Sequence, residues 1–386
     1  MLSSFNAFMR VAMSLLSGVS YGGVTYFHNL IPAFAAQDTI NEYHVFVPKD
    51  HPLIPIIQQK NVIFHECVES NQSALKRFLW EQCILPRHLT RCKIDILFTA
   101  KNLNIFLARC KTVIAIRNME PMRYHEYKND WRLNIVSWIK LQLTKWSMRK
   151  SNAIVVVSHG VQDYVMQRFP GTKDKVKVIY NGNPIPILPS NSSKTLESPH
   201  FLLCASKFVT YANQLNLLKA YAILVQQDPN TPPLWFAGGM HDHSYFVQVR
   251  KYVEDNGLES RVQFLGLVSH DRLLELMRAA QIFIFPSTLE SCPHTLIEAM
   301  ACGAPIATST IPPMPEICAD AAVYFDPYDP DDIAKKIKDL RNNVVAQDHL
   351  AESGRVRVQF FTWQKTADEL LNVFNDIHMY GHIYRH

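Results

Sequence analysis

Short runs of Val, Ile, Leu and Phe alternate with stretches of helical length and mixed polarity along the whole chain. Strands buried on both faces of a parallel sheet read as such continuous apolar runs, and the helices that cover those faces fill the intervals. In the first half the pattern predicts strands at Arg10–Leu16, Tyr43–Val47, Val62–His65, Ile94–Thr99, Thr112–Ile116, Ala153–Ser158 and Val176–Tyr180. In the second half it predicts Phe201–Ser206, Leu234–Ala237, Val262–Leu265, Ile282–Pro286, Ile306–Thr308 and Ala322–Tyr324. Asn181–His200, with four Pro, four Ser and neither period, separates the two sets and reads as a hinge. A last helix, Thr362–Ile377, follows the final strand and needs an apolar face to cover. No internal repeat of solenoid or propeller period is present.

The length of 386 residues suits two domains with two cores, and 48% hydrophobic with 19% charged residues excludes a disordered chain. With 13 Gly and 22 Pro it is not a fibrous one either. The net charge of +5 hides an asymmetry: residues 1–190 hold 23 Lys+Arg against 12 Asp+Glu, a formal +11, and the remainder is −6. The basic half therefore faces lipid headgroups, a phosphorylated acceptor or nucleic acid, or is simply a solvated face. The eight Cys show no Cys-x-x-Cys pair and no Cys/His cluster at zinc spacing, which reads as reduced core thiols and a cytosolic address. Arg10 interrupts the N-terminal apolar residues, and no run approaches the ~20 residues that span a bilayer. The expectation is a cytoplasmic protein whose membrane contact, at the inner face, is peripheral.

The first loop, Leu16-Ser17-Gly18-Val19-Ser20-Tyr21-Gly22-Gly23, precedes a helix expected from near Val24. Gly22 and Gly23 would let backbone amides approach an anion at that helix N-terminus. The loop lacks G-x-G-x-x-G spacing, so a nicotinamide site is disfavoured. The most informative stretch is FPSTLESCPHTLIEAMACGAPIATSTIPPMPEICADAAVYFDP, residues 285–327. Glu290 precedes a helix expected from His294, whose N-terminal amides, Cys292 to Leu296, would bind phosphate. Glu298 would sit one turn in on the same side. One carboxylate would then take sugar hydroxyls and the other a ribose, unless the pair is an ordinary solvated helix face.

That stretch closely resembles the C-terminal signature of the retaining family-four glycosyltransferases: the Glu-x7-Glu pair in E-S-C-P-H-T-L-I-E, then A-M-A-C-G-A-P-I, then P-E-I. Tyr21-Gly22-Gly23, Val155–Ser158, Val178–Gly182, Trp235–Gly238 and Phe361–Ala367 resemble further family segments, so the likeness covers nearly the whole chain. It implies the α/β GT-B fold, two Rossmann-like domains with a cleft between them. The expected division is 1–182 for the acceptor, 183–200 as hinge, 201–362 for the nucleotide sugar, and 363–386 as a helix crossing back. The implied reaction moves a sugar from a UDP-, GDP- or ADP-sugar to a glycan or lipid-linked acceptor hydroxyl, with retention. No metal, cofactor or nucleic acid is expected.

By the same resemblance Glu290 orients the sugar, Glu298 binds the ribose, and Lys207, Gly22, Gly23, Ser291, Cys292, His294, Thr295 and Leu296 hold the diphosphate. Two departures stand out. Arg117 and Asn118 occupy a strand-end loop where many members have His, and are assigned its catalytic place. Ala212 stands in the donor site where the family has a second cation. That gap leaves a weakly catalytic binding subunit as an alternative, beside a GT-B sugar-nucleotide epimerase or a phosphorylase, for which no cofactor lysine can be placed.

Asp329-Pro330-Asp331 imitates a metal-binding Asp-x-Asp, yet it precedes Ile333–Ile337 and reads as a helix cap. His241-Asp242-His243 follows a strand end without a third ligand and reads as a surface loop. Trp131–Lys150 mixes Trp131, Trp138 and Trp146 with Arg132, Lys140, Lys145, Arg149 and Lys150. It reads first as a core-facing helix whose basic stems lie along apolar surface. The alternative is membrane contact, made together with Leu75–Cys92.

Overall fold

The structure is a computed structural model and describes residues 8–16, 21–67, 73–123, 131–187 and 201–381. The chain forms two compact units, Met1–Pro184 with Thr362–His386, and Ile185–Phe361. Each is a parallel sheet between layers of helices, and the thirteen strands of the described residues coincide with the predicted apolar runs.

The first unit contains β1 (Arg10–Ser14), β2 (Glu42–Pro48), β3 (Val62–Cys67), β4 (Ile96–Thr99), β5 (Lys111–Ile116), β6 (Ala153–Val156) and β7 (Val176–Val178). Their order is β3-β2-β1-β4-β5-β6-β7. The helices are α1 (Tyr21–Gln37), α2 (Ala74–Cys83), α3 (Leu85–Arg91), α4 (Trp131–Lys150) and α5 (His159–Arg168). The chain returns to this unit with its last helix, numbered α13 below (Trp363–Tyr380). Alternate residues serve opposite faces: Val11 and Met13 pack with α1 and α13, while Ala12 and Leu16 pack with Trp80, Leu85 and Leu89 of α2 and α3. The apolar stripe of α13 is fully used. Phe374 stacks on Phe34 at 6.0 Å, Trp363 meets Tyr26 edge-on at 5.4 Å, and Lys111 Nζ donates to the carbonyls of Ile377 and His378, 2.8 Å each. Gly182 is required here, since a Cβ would lie 2.4 Å from the Trp363 nitrogen.

Helix α4 does face the core, but mostly with hydroxyl-bearing residues. It buries Ser137, Thr144, Ser147 and Met148 and exposes Ile135, Val136, Trp138 and Ile139. The hydroxyls can face inward because they bond locally: Thr144 Oγ1 donates to the Lys140 carbonyl and Ser147 Oγ to that of Leu143, and Ser147 Oγ accepts the Asn104 N–H at 3.0 Å. The side chains of Trp131 and Arg132 lie outside the described residues.

The second unit contains β8 (Leu202–Ala205), β9 (Leu234–Ala237), β10 (Val262–Gly266), β11 (Ile282–Phe285), β12 (Ile306–Ser309) and β13 (Ala322–Phe325), ordered β10-β9-β8-β11-β12-β13. Its helices are α6 (Gln214–Gln227), α7 (His243–Asp255), α8 (His270–Ala279) and α9 (His294–Ala301). They continue with α10 (Met314–Cys318), α11 (Pro330–Arg341) and α12 (Val344–Val358). Asp329 caps α11, its carboxylate accepting the Asp331 N–H at 3.0 Å. Asp242, expected in a free loop, caps α7 through the Tyr245 N–H. Of the hinge, residues 188–200 lie outside the described residues.

Candidate functional site

In the second unit the strand order reverses beside β8: the chain runs outward through β9 to β10, then returns to the other side with β11. Loops leaving the carboxyl ends of β8 and β11 therefore diverge, and such a switch point is where open α/β sheets take ligands. The β8 loop carries Lys207 and the β11 loop carries Glu290. Both loops are braced. The Tyr211 carbonyl accepts from the Thr288 N–H (2.8 Å) and Thr288 Oγ1 (3.1 Å). Asn213, turned into α6 at φ 63°, donates from Nδ2 to the carbonyls of Pro286 (3.2 Å) and Pro327 (2.7 Å). Gly238, ending β9, admits no side chain, because a Cβ would lie 2.0 Å from the Ser206 carbonyl oxygen.

Ser287 Oγ donates to Glu290 Oε1 at 3.1 Å. Burial pushes the Glu290 carboxyl up to about 7, against the opposing pull of Ser287 and the Lys207 charge. A carboxyl titrating near neutrality at a switch point is a functional candidate on physical grounds. Lys207 is exposed, its Nζ 5.3 Å from the Tyr211 ring centroid. Next to Glu290, Ser291 and Cys292 lead into α9, which starts at His294 as the sequence predicts and has Pro293 at its cap without a side-chain bond. The positive end of the α9 dipole therefore lies beside Glu290. His294 and Thr295 are half-buried in its first turn. Leu296 is a correction: its N–H already donates to the Pro293 carbonyl at 3.0 Å, and its side chain is buried.

Glu298 also differs from expectation. It is buried on α9, with Oε1 3.0 Å from Nε2 of His270, which opens α8. The hydrogen bond that the His270 imidazole donates to the Glu298 carboxylate raises the His270 pKa, so the two form an ion pair when the imidazole is protonated. His270 was missed because nothing in its local sequence marks it; only the packing of α8 on α9 brings it to Glu298. A ribose bound by Glu298 has to share that carboxylate with His270. Ala212 is corrected as well: it is 2% exposed in the turn Thr210–Ala212, with its N–H on the Val209 carbonyl. It offers the site a buried methyl group rather than a contact surface.

In the first unit the order reverses between β1 and β4. Helix α1 starts at Tyr21, not near Val24, so Gly22 and Gly23 occupy its first turn rather than a preceding loop. Ser17 to Ser20 lie outside the described residues. Arg117 and Asn118 follow β5, where Asn102 Oδ1 accepts both their N–H groups, at 3.1 and 3.3 Å. The Arg117 guanidinium lies 3.9 Å from the Tyr26 ring centroid. Asn118 Oδ1 accepts the Glu120 N–H at 2.9 Å, so that oxygen closes a turn instead of facing a substrate.

Residues 21–184 match the model of Glycosyltransferase Family 4, and residues 189–357 that of Glycosyl transferases group 1. An O-antigen chain mannosyltransferase B of Escherichia coli is 24% identical over 240 residues, 59% of this chain and 61% of its own. A GDP-mannose-dependent monoacylated alpha-(1-6)-phosphatidylinositol monomannoside mannosyltransferase of Corynebacterium glutamicum is 23% identical, over 62% of this chain and 67% of its own. The chain thus spans about three fifths of the first of these relatives. Among solved structures, Anabaena HepE in complex with UDP-glucose superposes with a TM-score of 0.74 at 16% identity, covering 95% of this chain and all of its own. That likeness shows the GT-B fold.

Proposed function

This chain belongs to the family-four glycosyltransferases of group 1, and from that premise we propose that it transfers a sugar, with retention, from a nucleoside-diphosphate sugar to an acceptor hydroxyl without a metal. The observation that carries the reading is the pairing of Lys207 and Glu290 on braced loops at the β8/β11 switch point, with the start of α9 beside them. Lys207 and the α9 dipole stabilise the charge that grows on the departing diphosphate. Glu290 holds sugar hydroxyls, and near neutrality it can accept a hydrogen bond when ionised or donate one when protonated. The acceptor hydroxyl attacks from the side the diphosphate leaves, and its proton passes to the diphosphate. The metal-free reading is supported by Asp329, whose carboxylate is engaged as a helix cap. Of the relatives, one is dependent on GDP-mannose and HepE was solved with UDP-glucose, which supports a nucleoside-diphosphate sugar as the donor here.

The acceptor belongs to the basic half. The first unit's α4 turns Ile135, Val136, Trp138 and Ile139 outward beside exposed Lys140, Arg149 and Lys150, a composition suited to an anionic lipid surface. This favours a lipid-linked acceptor reached from the membrane surface. None of the described helices is long and apolar enough to cross a membrane.

The test is an assay of labelled UDP-, GDP- and ADP-sugars against lipid-linked acceptors, with the product's anomeric configuration read by NMR. The expected result is transfer with retention from one donor, unchanged by EDTA and by Asp329→Asn. An inverted product removes the retaining mechanism, and loss in EDTA that manganese restores removes the metal-free one.

A further inference from the structure

A second cluster of chemically able side chains lies in the first unit, outside the proposed transfer machinery. His44 of β2 and His65 of β3 project from the sheet face that carries α2 and α3, as does Phe46, which stacks on His65 at 4.6 Å. His44 Nδ1 and His65 Nε2 are 2.9 Å apart. Cys92, which caps the C-terminus of α3, completes a group whose ligand atoms all lie within 4.8 Å of one another. His44 is buried, and His65 and Cys92 are partly exposed, so the cluster opens toward solvent on one side.

Two features go beyond a packed histidine pair. Whichever ring donates across the 2.9 Å contact, the other presents a lone pair to the same point. The other nitrogen of His44, Nε2, is buried and makes no hydrogen bond, while Glu42 Oε2 sits 3.7 Å away. Ligating imidazoles commonly turn their second nitrogen toward a carboxylate in this way.

We propose that His44, His65 and Cys92 form a site for a zinc-class divalent cation, separate from the transfer chemistry, that staples β2, β3 and α3 together. Two imidazoles and a thiolate are the donor set of zinc rather than of magnesium or calcium. Bonds of about 2.0–2.1 Å at tetrahedral angles need the two histidine nitrogens to part to about 3.3 Å, a small turn of the partly exposed His65 ring. The fourth position is left to water. On binding, the Cys92 S–H bond breaks, a sulfur–metal bond forms, and the proton goes to buffer.

The experiment uses the full chain without a histidine tag, stripped of metal by a chelator and titrated with cobalt(II), then zinc(II). One equivalent of cobalt should give tetrahedral d–d bands and a thiolate charge-transfer band, both removed by zinc, with one proton released per ion and a higher melting temperature. Cys92→Ser should abolish the charge-transfer band, and His65→Gln should weaken binding at least tenfold, with the metal-free variants showing wild-type circular dichroism. Should a variant misfold, the wild-type spectrum still decides, because a saturable thiolate band at one equivalent requires a cysteine ligand. No stoichiometric binding by the wild type, a spectrum without thiolate character, or binding unchanged in both variants overturns the site.

Discussion

The two units share one sheet plan and differ in what the strand ends carry. In the second, the loops at the switch point hold an exposed cation, a carboxyl pushed up to about 7 and a helix start, braced by Tyr211, Thr288 and Asn213. In the first, Arg117 is laid over Tyr26 and Asn118 closes a turn, so polar groups at the strand ends serve the scaffold. The outer layers contrast in the opposite sense: α4 of the first unit leaves Ile135, Val136, Trp138 and Ile139 outside, whereas α11 of the second buries Ile333, Ile337 and Leu340. Strand ends and helix faces can thus be altered independently of the core that makes the sheet.

Breaking the chemical side should give the largest effect. Glu290→Ala should lower kcat/KM by about a hundred- to ten-thousand-fold with the melting temperature kept; a loss under tenfold would move the chemistry elsewhere. The scaffold side of the first unit is probed next by Phe374→Ala, expected to cost about 3–5 kcal/mol because a buried ring is removed. Chemical denaturation measures it, and a cost below about 1 kcal/mol would mean that α13 is not part of that core. Lys207→Ala should weaken donor binding by about 1.5–3 kcal/mol, as for a lost charged hydrogen-bond partner. Calorimetry with nucleoside diphosphates checks this, and equal affinity would hand its role to α9 alone.

The pH dependence sharpens the contrast further. Glu290 titrates near 4.5 in an unfolded chain and near 7 here, so between those values the folded chain keeps a proton the unfolded chain has lost. Its contribution to stability is complete below about pH 4.5 and is lost as the pH rises through 7. Melting curves should show Glu290→Gln gaining on the wild type from about pH 5 to about pH 8, and parallel curves would refute the raised value. The smallest effect belongs to the outer face of α4. Ile139→Ser should change stability by no more than about 0.5 kcal/mol while reducing co-sedimentation with anionic vesicles. Equal sedimentation of both proteins would leave that face without a lipid role.

Both sheets were legible because a parallel strand such as Ala153–Val156 or Ile282–Phe285 is apolar on both faces and cannot be mistaken for a solvated segment. The same holds for Glu290 and the start of α9, which depend on local spacing. What could not be read is what depends on which surface meets which. The pattern of α4 defines two faces, but only packing shows that Ser137, Thr144 and Ser147 are the inner one. Ala212 reads as a missing cation in the sequence and as a buried methyl in the fold. His270 with Glu298, and His44 with His65 and Cys92, meet through helix packing and strand register across long sequence separations. Spacing rules for zinc ligands see only neighbours along the chain.

Helix α13 carries a consequence for how the protein is made. Its residues Trp363, Leu370, Val373, Phe374 and Ile377 sit in one core with Val11, Tyr26, Phe34 and Val45. Chains usually fold their N-terminal unit first as it leaves the ribosome. Here the unit that is synthesised first cannot close its core until residues 363–377 emerge, after the whole second unit. The second unit is the first able to finish, and until α13 emerges the core residues of the first unit that pack with it lack that cover.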